Sequence, residues 1–245
     1  MDGTVIVTGV ASGLGAAVAT HLAGQGARVA GLDLAEFEPP TGGIAMVCDV
    51  SDAAAVDTAV SHISQDMGDI RGLVCCAGIA PSAKLSGRKG PHDADLFAKV
   101  MAVNVMGTFH LMRAVAPHMQ GNAPDDKGQR GVMISTASIA AYEGQIGQVA
   151  YAASKGAVAS MTLPLARELA RDGIRVASIA PGVFNTPMMQ AMPDEVQSSI
   201  AATIPFPQKL GDPEDFARLV GHIFENTTLN GDVIRLDGAL RMAGR

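Results

Sequence analysis

Short apolar runs alternate with longer helical stretches along the whole chain. The runs fall at residues 4–8, 27–33, 44–48, 72–76, 132–136, 174–179 and 232–236. Several, such as Val-Ile-Val-Thr and Gly-Leu-Val-Cys-Cys, are apolar throughout or nearly so, as strands are when both faces of a sheet are covered. Between them the pattern predicts helices at about 14–25, 53–66, 93–119, 150–171 and 213–225. Asp212-Pro213-Glu214 opens the last with an N-cap candidate and Pro at the first helical position. Such alternation predicts βαβ units, hence an α/β fold with a doubly wound parallel sheet of about seven strands and helices on both faces.

With 245 residues and no linker or internal repeat, the pattern is expected to form one domain spanning 1–245. Two stretches break it. Residues 122–130 are polar and read as an exposed loop, while 181–211 carries Pro181, Pro187, Pro193, Pro205 and Pro207. The second is too long for an ordinary connection, and its part at about 183–211 reads as a substrate lid with a short helix of its own.

Composition narrows the function. Eighteen Lys+Arg against 24 Asp+Glu, with no basic block, supply no electrostatic footprint for nucleic acid. No apolar run approaches the roughly 18 residues needed to span a bilayer, so no membrane partner is expected. The start, Met-Asp-Gly-Thr-Val, lacks a signal-peptide pattern, which gives a cytoplasmic expectation. Cys48, Cys75 and Cys76 lie in apolar runs without Cys-x-x-Cys spacing, and the six His are scattered, so no metal site is expected.

The first run leads directly into Thr8-Gly9-Val10-Ala11-Ser12-Gly13-Leu14-Gly15 and the first helix. Glycines there permit a tight turn and close approach of backbone to a pyrophosphate, which the free N–H groups of the helix start would meet. Three glycines after a strand also suit an ordinary connection. What shifts the balance is Asp33, which ends the second run 18 residues after Gly15, near the offset of the acid that accepts the adenosine ribose hydroxyls of a dinucleotide. A carboxylate there repels a 2′-phosphate, and neither Ser12 nor Leu34 offers positive charge. The expected cofactor is NAD, not NADP.

Tyr151 and Lys155 are four apart, one turn of helix, and Ser138 lies 13 residues earlier, just past the end of the run at 132–136. Open α/β sheets bind ligands at that end of their strands. A cation about 4 Å from a phenol contributes roughly 4 kcal/mol at an effective dielectric near 20, before desolvation takes some back, and is expected to lower the Tyr151 pKa. Tyr151 then reads as general acid/base, Lys155 as the charge that keeps it ionisable, and Ser138 as the group that orients the substrate oxygen. No Gly-x-Ser-x-Gly elbow supports a serine hydrolase.

Taken together, the glycine loop, Asp33, Asp49-Val50, Cys76-Ala77-Gly78, Asn104, Ser138, Tyr-x-x-x-Lys and Pro181-Gly182 resemble the short-chain dehydrogenase/reductase family. The resemblance implies a Rossmann-type oxidoreductase in which Gly9, Ser12, Gly13, Leu14 and Gly15 hold the cofactor, Asp49 and Val50 border its adenine, and Cys76, Ala77 and Gly78 line it. It also implies that Pro181, Gly182, Phe184 and Thr186 touch the nicotinamide end, and that Asn104 anchors a proton-relay water near Lys155. Cys76 stands where many members carry Asn, which loses a polar contact.

The segments Glu143-Gly144-Gln145-Ile146-Gly147-Gln148, Ile204-Pro205-Phe206-Pro207 and Ile234-Arg235-Leu236-Asp237-Gly238 are similar, within that family, to the type II 3-hydroxyacyl-CoA dehydrogenases, also called type 10 17β-hydroxysteroid dehydrogenases. This implies a homotetramer, a place for Gln148 in the substrate pocket, and oxidation of an (S)-3-hydroxyacyl-CoA. A hydroxysteroid dehydrogenase, a 3-oxoacyl-carrier-protein reductase and a non-catalytic NAD-binding regulator remain as other readings.

Overall fold

The computed structural model describes residues 3–88 and 90–244. Seven strands make one parallel sheet: β1 (Thr4–Thr8), β2 (Arg28–Asp33), β3 (Ile44–Val47), β4 (Ile70–Cys75), β7 (Gly131–Thr136), β8 (Ile174–Pro181) and β9 (Val233–Leu236), in the order β3-β2-β1-β4-β7-β8-β9. Every run singled out in the sequence is one of these strands. A further pair, β5 (Ser86–Gly87) and β6 (Gly90–Pro91), forms a two-residue antiparallel hairpin that no periodicity announced.

Strand side chains alternate between two apolar layers. Ile6, Leu32, Leu73 and Met133 face one, with α2 (Ala53–Met67) and α4 (Gly107–Gly121); Val5, Val7, Val74 and Ile134 face the other, with α1 (Gly13–Gly24) and α8 (Pro213–Glu225). Both faces are covered, which explains why the strands read as continuous apolar runs. Local caps set where helices begin. Asp52 accepts N–H bonds from Ala54 and Ala55 at the start of α2, and Asp212 accepts one from Glu214 ahead of Pro213 in α8.

The helix expected at 93–119 is three pieces: α3 (Ala94–Met101), a π-helical turn at Ala102–Met106, and α4. One extra residue per turn there re-aims Asn104, the device such insertions commonly provide at functional sites. The helix expected at 150–171 is α5 (Val149–Leu169) with a short 3₁₀ extension. In the stretch at 183–211 there are two helices, α6 (Pro187–Gln190) and α7 (Asp194–Ala202), where one was expected. Met188, Met192 and Phe206 are exposed there, whereas Ile204 is buried against Ile139 and Leu240.

The sheet order reverses direction at β1, between β2 and β4. Ligands of open α/β sheets bind outside the carboxyl ends of strands at such a reversal. The ends of β1, β4, β7 and β8 therefore define where the site lies.

Candidate active site

At the reversal, the glycine loop is shaped by two close approaches. Gly9 has φ of 72°, and a Cβ there would sit 2.9 Å from the Ala77 nitrogen; a Cβ on Gly15 would run into the Gly9 carbonyl. Thr8 stitches the two loops together, its Oγ1 accepting the Cys76 and Ala77 N–H groups at 3.1 Å each. Ser12 takes the N-cap position of α1 in extended conformation and makes no side-chain cap bond, so the helix start, with Gly13 and Leu14, keeps its amides for an anion. This cradle fits a pyrophosphate.

Asp33 ends β2 with Oδ2 accepting the Ala11 N–H at 2.9 Å and Oδ1 accepting that of Ala35 at 3.0 Å. Each oxygen retains further acceptor capacity for a hydroxyl. Asp49 accepts both the N–H and the Oγ–H of Ser51, which hold its carboxyl below the usual carboxylate range. Val50 is buried against Gly107 at the start of α4. Gly78 lies beside Asn104 and Lys155, since a Cβ on it would be 3.2 Å from Asn104 Oδ1 and 3.7 Å from Lys155 Nζ.

Ser138 follows β7 and is buried, its Oγ accepting the Ala140 N–H at 3.1 Å. Tyr151 enters α5 one turn before Lys155, and the Ser138 side chain acts to lower its pKa. Lys155 Nζ donates to the Thr136 carbonyl at 2.6 Å and lies 5.7 Å from the centroid of the Tyr151 ring. The end of β7 and the first turns of α5 thus bring the three groups together.

The electrostatics correct one expectation. Burial pushes the Tyr151 phenol above its ordinary 10.0, only partly offset by the Ser138 side chain, so Lys155 does not lower it in the protein alone. Burial also pushes Lys155 down to about 8, with the neighbouring Cys76 and Cys75 opposing. Both groups pay for leaving water, and each disfavours its charged form. Near neutral pH the site therefore holds a protonated phenol beside a lysine that keeps its charge. Cys76 is raised to about 11, mainly by burial, and receives the Thr136 hydroxyl at 3.6 Å. It is a neutral thiol.

Two further site residues are placed by their contacts. Asn104 spends both N–H donors, on the Ile79 carbonyl at 2.9 Å and Ser154 Oγ at 3.0 Å, and its Oδ1 accepts the Ile79 N–H at 2.8 Å. Any water is left to its main-chain carbonyl, which accepts Thr108 Oγ1 at 2.9 Å and has a second lone pair. Phe184, expected at the nicotinamide, turns its ring into the core edge-to-face with Phe216, with centroids 6.2 Å apart. Thr186, by contrast, lies across from the glycine loop, its Cγ2 3.4 Å from where a Gly13 Cβ would be. Pro181 ends β8, and Gly182 donates to the Leu236 carbonyl at 2.9 Å with no room for a side chain against Asp237.

At the start of α5 is a cavity of about 400 Å³ lined by Lys84, Leu85, Gln145, Ile146, Gln148 and Ala152 among others, with none of Ser138, Tyr151 and Lys155 in its wall. Gln148 is the N-cap residue of α5, three positions before Tyr151, and its amide meets that of Gln145 at 3.4 Å. The roles of Thr8, Thr136 and Ser154 escaped sequence reasoning. Thr8, which opens the glycine loop, and Ser154, adjacent to Lys155, sat within motifs that drew attention for other residues.

Residues 3–197 match the short chain dehydrogenase family. The chain belongs to that family. It is 48% identical to human 3-hydroxyacyl-CoA dehydrogenase type-2 over 97% of this chain and 94% of that protein. The Drosophila melanogaster protein of the same name is 46% identical, covering 97% and 96%. A crystal structure of 3-hydroxyacyl-CoA dehydrogenase type-2 from Mycobacterium avium superimposes with a TM-score of 0.93 at 36% identity, covering 100% of this chain and 98% of that one. Membership in the family makes the chain an oxidoreductase that interconverts secondary alcohols and ketones with a nicotinamide cofactor, and the glycine cradle, Asp33 and Lys155 fit such a cofactor.

Proposed function

We propose that the protein is an NAD-dependent dehydrogenase that oxidises the 3-hydroxyl of an (S)-3-hydroxyacyl-CoA to the ketone. The observation that carries the reading is buried Lys155, held by the Thr136 carbonyl with its Nζ 5.7 Å from the centroid of the Tyr151 ring, in a chain 48% identical to a 3-hydroxyacyl-CoA dehydrogenase. Asp33 favours NAD, because its carboxylate accepts ribose hydroxyls and repels a 2′-phosphate.

When bound, the nicotinamide supplies the acceptor for the substrate's C3 hydrogen and its electron pair. Ser138 fixes the substrate oxygen. Tyr151 takes the hydroxyl proton during oxidation and returns it during reduction, the direction for which its raised pKa already provides the right protonation state. Lys155, charged at neutral pH, supplies the positive field that makes the phenolate accessible, and the Asn104 carbonyl holds a water for proton passage. Gly9, Ser12, Gly13, Leu14 and Gly15 seat the pyrophosphate, Asp49 and Val50 border the adenine, Cys76, Ala77 and Gly78 line the cofactor, and Pro181, Gly182 and Thr186 border the nicotinamide. Phe184 contributes there through its backbone.

Gln148 and the cavity beside it take the acyl thioester; residues 183–211, with exposed Met188 and Met192, are assigned as a substrate lid on their length and apolar exposure. The small residues of α5, among them Ala153, Gly156 and Ser160, suit close packing of identical helices, which supports a homotetramer checkable by light scattering. No described helix is long and apolar enough to cross a membrane; a cytoplasmic enzyme of fatty acid metabolism is part of the same proposal, the latter following from the acyl-CoA substrate. The substrate assignment is tested by comparing kcat/KM for a 3-hydroxyacyl-CoA, its truncated thioester and hydroxysteroids at fixed NAD+.

A further inference from the structure

The cavity wall at 144–149 begins with no helix or strand to define it; Gly144 to Gln148 form turns and irregular backbone, two of them glycines. Its shape must be imposed from outside. On the inner side, Ala83 N–H donates to the Gly147 carbonyl at 2.8 Å. On the outer side the wall is tied to the C-terminal tail: Gln145 Nε2 donates to the Ala243 carbonyl at 3.1 Å, and Ile146 N–H to that of Gly244 at 3.1 Å.

Glu143 anchors this arrangement. Arg235 on β9 donates Nη1 to its Oε1 at 2.9 Å and Nη2 to its Oε2 at 3.3 Å, a fork that suits a carboxylate. The Met242 N–H donates to Oε2 at 3.0 Å, and Arg241 Nε lies 3.4 Å from Oε1. Asp237, nearly buried, fixes Arg235 by accepting its Nε at 2.7 Å. The Arg235 hydrogen bond is the main reason that the Glu143 carboxyl is held below the usual range. Glu143 is five residues from Ser138 on one side and five from Gln148 on the other.

We propose that Glu143 is a positioning residue for substrate: locked by Arg235 and by the tail amide of Met242, it fixes the wall that carries Gln148, so that the C-terminal tail sets substrate affinity. The proposal rests on the reading of this cavity as the acyl-thioester site. It requires no contact of Glu143 with substrate. Chemistry at Tyr151 and cofactor binding at the glycine loop stay as they are, and only the shape of the wall depends on the ion pairs.

The test uses Glu143→Gln in the full chain, which keeps side-chain shape but removes the charge. With acetoacetyl-CoA and NADH, KM is expected to rise about tenfold, the effect of losing one charge-assisted interaction, while kcat stays within about threefold and the NADH Kd is unchanged. Amide exchange of segment 144–149, which needs no substrate, is expected to quicken by a similar factor. Arg241→Gln, on the exposed arm of the network, should move both quantities the same way but less, and serves if Glu143→Gln does not fold. Unchanged exchange, or quicker exchange with unchanged KM, overturns the proposal, as does a fall in kcat at constant KM. A wild-type protein inactive on acetoacetyl-CoA refutes the substrate reading instead, and the exchange comparison then decides alone whether the tail holds the wall.

Discussion

Lys155 and Thr136 are joined by a 2.6 Å hydrogen bond from a buried ammonium to a strand-end carbonyl. That contact keeps the lysine in place although burial has moved its pKa from 10.5 to about 8. The strand end thus holds the cation where Tyr151 needs it, at a cost to the fold.

Replacing Lys155 with Met should therefore separate stability from activity. A base whose folded pKa is depressed costs stability while protonated; the cost is complete below about pH 8 and vanishes as pH rises through 10.5. The shift corresponds to roughly 3 kcal/mol, of which about 1 returns as the lost hydrogen bond to Thr136. Lys155→Met is expected to be more stable at neutral pH in urea denaturation, by about 2 kcal/mol, while kcat falls at least about 10²-fold. A destabilised variant at neutral pH would contradict the assignment.

Tyr151→Phe should lower kcat by at least about 10²-fold, typical of losing a general acid/base, with NADH binding retained in a fluorescence titration. Because burial holds the phenol protonated, reduction by NADH should be insensitive to pH near neutrality. Alcohol oxidation, which needs the phenolate, should instead climb with pH. A variant that keeps near-normal kcat would remove Tyr151 from the mechanism.

The sheet was legible because its strands, covered on both faces, are continuous apolar runs, and the cofactor loop because only glycine fits at Gly9 and Gly15. The hairpin of Ser86–Gly87 and Gly90–Pro91 was not, since two-residue strands carry no period. The π turn at Ala102–Met106 hid inside a helical pattern because one extra residue leaves composition unchanged. Phe184 shows another boundary: motif position locates a residue along the backbone but does not say which way its ring turns. The Tyr151 pKa was misjudged because the charge of Lys155 is readable from spacing, whereas the desolvation that outweighs it requires knowing burial.

Phe184 consequently makes a stability prediction. Its ring fills the space between Phe216 and Gly211, so Phe184→Ala should cost about 3–5 kcal/mol, as core aromatic truncations do. Thermal denaturation checks it. Loss of NADH affinity without loss of stability would restore the side chain to the nicotinamide site.

Asp33→Ser combined with Leu34→Arg should shift the ratio of kcat/KM for NAD over NADP toward NADP by a factor of about 10² or more, since a repulsive carboxylate becomes an attractive guanidinium. Leu34 is 71% exposed, so the new arginine has room. Some affinity for both cofactors should be lost as well, because Asp33 also braces Ala11. An unchanged ratio would refute the role given to Asp33.

The most direct test of the central claim compares kcat/KM for a full 3-hydroxyacyl-CoA, the same acyl group on N-acetylcysteamine, and a hydroxysteroid, all with NAD+. An enzyme built for acyl-CoA draws part of its transition-state binding from the remote CoA portion, so truncation should lower kcat/KM by about 10-fold or more and the steroid should be poorer than the full substrate. Equal efficiency on full and truncated thioesters, or a higher value on the steroid, would contradict the account.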